Sequence, residues 1–97
     1  MDDRRRELTA RYERLVGELE ALLYRHDPVG IAFGDNQDEY SPEAGSIAPR
    51  LRGVETVEDV RRIVHEEFVR WFDADTAGPA ADYQAIAEEL WTLLRAD

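Results

Sequence analysis

Leu8, Tyr12, Leu15, Leu19 and Leu22 stand in steps of 4, 3, 4 and 3, and Val16 and Leu23 widen the same stripe. Apolar side chains at that spacing share one side of an α-helix, so residues from Asp2 to about Tyr24 form an amphipathic helix with one face to bury. A second, stronger stripe repeats the pattern: Val57, Val60, Val64, Phe68 and Trp71, with Ile63 and Phe72 beside it. Strand periodicity is nowhere sustained. VGIAF at 29–33 is the one extended candidate, and a lone strand has nothing to pair with. The chain is thereby constrained to an all-α fold whose helices cover one another's apolar faces.

Local signals set the boundaries. Asp2 and Asp3 suit the positive end of the first helix, and Glu7 with Arg11 makes an i,i+4 pair in the favourable order. Its heptad spacing admits a coiled-coil dimer, but only about two heptads are present, which favours packing within one chain. Asp27-Pro28 ends that helix, because a residue before proline is pushed out of the α region. At Ser41-Pro42-Glu43 the chain re-enters a helix, with serine as cap and proline at the first turn. Ala44, Ile47, Ala48 and Leu51 line one side of this short helix, Gly45 and Pro49 weaken it, and Gly53 stops it.

Thr56 and Asp59 form a near capping box opening the third helix, whose wet side Glu58–Arg62 and Glu66–Arg70 brace. Residues 73–79 read as a turn-rich connection. Asp82 then caps a last helix carrying Tyr83, Ile86, Ala87, Leu90, Trp91 and Leu94 on its inner side. The expected architecture is one domain, 1–97: a small antiparallel bundle of about four helices, the second short, with an ordered acidic loop between the first two. Trp71 and Trp91 belong to its core, the sharper alternative being that one of them surfaces to anchor a partner.

Size and charge narrow the function. At 97 residues the chain can wrap a single core, which disfavours a substrate-sized interior cavity. It has no cysteine, hence no disulfide and no thiolate metal site. No apolar run is long enough to span a bilayer and MDDRRREL is no signal peptide, which points to the cytoplasm. The net charge is −10, and it is segregated. Residues 1–26 and 50–72 each balance, whereas 27–49 hold five acids and no base, and 73–97 six acids against Arg95. Two segments thus carry −5 each. Such a field repels nucleic acid and anionic membrane and attracts a basic protein surface or cations; in the plainer reading it serves solubility.

Motifs for chemistry are weak. His65-Glu66-Glu67-Phe68-Val69 begins like a zinc-protease signature, but valine stands where the second histidine must be. His26 reads as a helix-terminal residue. Asp35, Asp38 and Glu39 resemble a calcium loop in composition, yet Tyr40 and Ser46 occupy the places of its glycine and closing glutamate, which leaves at most loose cation binding. Gly30 to Gly34 is followed by acids and so makes no phosphate cradle, and no nucleophile elbow is present. Neither a catalytic group, a cofactor nor a built metal site is expected.

Asp27-Pro28-Val29-Gly30-Ile31, then Asp38-Glu39-Tyr40, then Pro42-Glu43-Ala44, resembles a pattern in small uncharacterised bacterial helical proteins, where a D-P-[ILV]-G loop leads into a D-E-Y element. Some of these are thought to be immunity-type or antitoxin-like partners. His26 departs from the aromatic expected before Asp-Pro. The resemblance implies a loop held in shape, with Asp27 bonding the turn, Val29, Ile31 and Tyr40 tucked inward, and the acids facing water. The resulting expectation is a non-enzymatic acidic protein, monomer or homodimer, that binds a basic protein partner through Phe33, Asp35, Asp38 and Glu39, with Asp73 and Asp75 in a second patch. A homo-oligomeric structural module and a weak divalent-cation binder are the alternatives.

Overall fold

The computed structural model describes residues 2–30 and 40–96, with side chains in the first helix given for Arg6 and from Ala10 onward. It is all helical. Five α-helices follow one another: α1 (Asp2–His26), α2 (Ser41–Ile47), α3 (Val57–Trp71), α4 (Ala74–Ala77) and α5 (Gln84–Arg95). Short 3-10 turns continue α2 (Ala48–Leu51) and lead into α5 (Ala80–Tyr83). Among the described residues there is no strand, and no helix is long and apolar enough to cross a membrane.

The core forms where the stripes meet. Leu19, Leu22 and Leu23 of α1, Ala44 and Ile47 of α2, Val60, Ile63, Val64 and Phe68 of α3, and Ile86, Ala87 and Leu90 of α5 are all buried in one cluster. Burying a large aliphatic or aromatic side chain stabilises by roughly 1.5–3 kcal/mol, so these stripes drive the helices together. The capping box of α3 is present: Asp59 N–H donates to Thr56 Oγ1, and the Asp59 carboxylate accepts from the Thr56 N–H.

Four local expectations are corrected. The helix α2 has Tyr40 as its N-cap, without a capping bond from its side chain, while Ser41 is already helical and its hydroxyl donates to Glu20. Residues 73–79 are not merely turns, since Asp73 caps the one-turn helix α4. Asp82 lies within the 3-10 turn, and Tyr83 precedes α5. Trp71 is 47 % exposed, because it closes the last turn of α3 at the core's edge, where its indole N–H donates to Ser46 Oγ at 2.8 Å.

The polar side of α3 also pairs differently from the simple i,i+4 scheme. Arg62 reaches Asp59 and Glu66, Arg50 bonds both Glu66 and Glu67 at 2.7 Å, and Arg70 reaches back to Glu67 at 3.2 Å. Glu67 is only 1 % exposed. Burial pushes its carboxyl pKa up, but hydrogen bonds from Ser46 and Arg50 and the charges of Arg70 and Arg50 outweigh that and hold it below the ordinary value.

Candidate acidic interaction face

Phe68 is the pivot on which both acidic segments hang. Its ring lies 5.9 Å from Tyr40 and 5.4 Å from Tyr83, with Phe72 stacked at 5.8 Å, and both tyrosines are completely buried. A buried phenol has to place its hydroxyl on a partner, and each tyrosine uses it to fasten the chain beside it.

Tyr40 fastens the first segment. Its hydroxyl donates to Asp27 Oδ1 at 2.6 Å and lies 3.4 Å from the Val29 N–H, which donates to it. Asp27 adopts the left-handed conformation (φ 47°) while its N–H still reaches Leu23 O, an α1 ending that aspartate tolerates better than most residues. Val29 is half-buried against the core. The ends of the intervening segment are therefore held together by a bond between residues thirteen apart, and the Asp27 carboxylate engages the turn through the Tyr40 hydroxyl. Glu43, one turn beyond, is just 4 % exposed, and its Oε1 has no hydrogen-bond partner among the described residues. Burial raises its pKa above the ordinary carboxylate value, partly offset by a bond from its own backbone N–H. Ile31, Phe33, Asp35, Asp38 and Glu39 lie outside the described residues.

Tyr83 fastens the second segment. Its hydroxyl donates to Ala77 O at 2.7 Å, and burial, with the Asp82 charge adding to it, pushes its pKa up to about 12, so it stays a donor. His65 Nε2 stands 2.8 Å from Gly78 O; a carbonyl only accepts, so this nitrogen carries the proton. Gly78 takes φ +77°, and a Cβ there would meet Asp82 Oδ2 at 3.1 Å, so the sharp step between α4 and the 3-10 turn requires glycine. Asp73 accepts from the Thr76 N–H at 2.6 Å, and that backbone bond holds its pKa below the usual range.

On this anchored connection Asp75 and Asp82 are exposed, as is Glu88 on α5, which accepts from Gln84 Nε2 at 3.1 Å, and among the described residues no arginine is bonded to them. Glu89 differs: it is half-buried and bridges His26 at 2.7 Å and Arg25 at 2.6 Å, tying α5 to the end of α1. These two bonds hold its pKa down, with His26 the larger influence.

Of the expected contact residues, then, Asp73 is engaged in capping α4 and Asp75 is free at the surface, while Asp82 and Glu88 join it without having been singled out. The interior carboxylates Glu43 and Glu67 were also missed. A signal for them existed: position 43 continues the Tyr40, Ala44, Ile47 side of its helix, and position 67 the Val60, Val64, Phe68 side. Among the described residues no three His, Asp or Glu side chains converge as metal ligands would. No protein-family model matches the chain, and neither a curated protein nor a solved structure matches it.

Proposed function

We propose that this is a non-enzymatic acidic interaction protein that binds and neutralises a basic protein partner, in the manner of the immunity-type and antitoxin-like proteins its loop motif resembles. In this reading the helices serve as a small antiparallel bundle that displays two negative segments. The observation that carries the proposal is the outward placement of Asp75 and Asp82 on a connection fixed by Tyr83, His65 and the Asp73 cap, with Glu88 exposed on the helix α5 that follows it. A fixed set of carboxylates loses little ordering entropy on binding and steers a cationic surface towards it from a distance. The residues at 33, 35, 38 and 39 would extend the same contact.

The test is binding to a basic, nuclease-type protein encoded beside this chain. The association rate should fall by about tenfold or more between low and high salt, as steered encounters do. The substitutions Asp75→Lys, Asp82→Lys and Glu88→Lys together should abolish the steering. An association rate indifferent to salt and to this triple change would refute the reading.

A further inference from the structure

The helix α1 outreaches the core that holds it. Its 25 residues span about 37 Å, yet among its described side chains the fully buried ones, Leu19, Leu22 and Leu23, belong to its last two turns. Upstream, Leu15 and Val16 are half-buried and Tyr12, a member of the same apolar stripe, is 43 % exposed. Here α1 and the end of α5 border an open groove of about 310 Å³, with Leu15, Leu93 and Leu94 as its apolar lining and Arg11, Arg14 and Glu18 at its rim. Isolated helical turns are marginal in water, and an apolar stripe that continues past its own core is a surface for another helix.

The charges identify that helix. Arg11 and Glu18 are seven residues apart and flank the Tyr12–Leu15 stripe on the same side. If a second α1 runs antiparallel, crossing midway between Tyr12 and Leu15, each Tyr12 faces the other copy's Leu15. Flanking residues of like heptad position then meet, so Arg11 of each copy faces Glu18 of the other. A parallel pair would instead set Arg11 against Val16 and Glu18 against Leu23, with no charge matched. The patch is thus complementary to itself under this two-fold rotation, and not when the same helix runs parallel.

We propose that a second copy of this chain docks antiparallel in the groove between α1 and α5, its Tyr12 entering beside Leu93 and Leu94, to form a two-fold homodimer. The seam is short, because Leu19, Leu22 and Leu23 are already buried within their own chain. The dimer is accordingly of the weak class, populated at micromolar concentration and above. It leaves Asp75, Asp82 and Glu88 outside the seam and does not depend on what they bind.

Sedimentation of the full chain from about 5 to about 500 µM should show dimer growing with concentration. Arg11→Glu and Glu18→Arg, each alone, should weaken dimerisation by at least about tenfold, since each places like charges opposite one another twice. The double variant carrying both changes should dimerise again, and so should a mixture of the two single variants, whose heterodimer restores both pairs. Circular dichroism should report unchanged helix content, as both positions are exposed. A chain that stays monomeric throughout this range, or a dimer that survives in both single variants, would overturn the proposal.

Discussion

The two acidic segments have the same net charge, −5, but their described carboxylates meet opposite fates. In the first, the described carboxylates turn inward: Asp27 is tied to Tyr40, and Glu43 is buried without a partner for one oxygen among the described residues. In the second, Asp75, Asp82 and Glu88 are exposed, Glu88 accepting only from its helix neighbour Gln84 among the described residues, while Asp73 and Glu89 are taken up by the fold. Both are fastened by a buried tyrosine on the same phenylalanine. Net charge per segment therefore says nothing about display. What decides it is the helical register of each acid relative to the apolar stripe, and whether the anchoring tyrosine hydroxyl donates to a side-chain carboxylate or to a backbone carbonyl.

Phe68→Ala should have the largest effect, because it removes the ring against which both tyrosines pack. A loss of about 4 kcal/mol is expected from truncating a buried phenylalanine, and thermal unfolding would show it. Tyr40→Phe and Tyr83→Phe then separate the two fastenings. The Tyr40 hydroxyl donates to a carboxylate and the Tyr83 hydroxyl to a neutral carbonyl. The first loss should cost about 2 kcal/mol and the second about 1, as charge-assisted bonds are the stronger class. Amide exchange sharpens the contrast: Val29 should lose protection in the Tyr40 variant, and Ala77 and Gly78 in the Tyr83 variant, not the reverse.

The helical class and the long elements were legible because they rest on periodicity. The steps of 4 and 3 in α1 and the Val57 to Trp71 stripe in α3 need no tertiary information to be read. The Thr56–Asp59 box was legible for the same reason, being a bond across three residues. What escaped depends on contacts distant in sequence. Nothing local says that Arg50 will bond Glu67, seventeen residues away, and so permit a carboxylate on an apolar face. Trp71 looked like core because it continues the α3 stripe, but the stripe outlasts its cover there. The Asp73 cap of α4 was hidden by a run of small residues and Gly78, which read as turn alone.

The buried acid Glu43 supplies a prediction of opposite sign from the other carboxylates. Glu66, Glu67, Asp59, Asp73 and Glu89 have pKa values lowered by their partners, so they stabilise the fold above the ordinary carboxylate range, and that stability is lost as pH falls through their folded values. Glu43 has its value raised by burial. Between its unfolded and folded pKa the native state binds the extra proton, so stability falls as pH rises through that window. Glu43→Gln should accordingly stabilise the protein at neutral pH by about 1 kcal/mol, the low end of the cost of an unsatisfied buried group. The gain should vanish below the ordinary carboxylate range, where Glu43 is protonated in both states. A Gln variant that melts lower than the parent at neutral pH would mean that the Glu43 carboxylate is satisfied after all.

The smallest effect on stability should come from the outward acids, and its smallness is the informative part. Asp75→Asn and Asp82→Asn together remove two charges from exposed positions where no arginine of the described chain is bonded. Surface changes of this kind move stability by no more than about 0.5 kcal/mol, so the melting curve at neutral pH should overlay that of the parent. If these acids are held apart from the fold's own needs, the same pair of changes should still slow association with a cationic partner and flatten its salt dependence, because steering depends on the summed field. A marked drop in melting temperature would instead place Asp75 or Asp82 among the groups the fold consumes, alongside Asp27 and Asp73. The contrast between the inward carboxylates of Asp27 and Glu43 and the outward ones of Asp75 and Asp82 would then disappear.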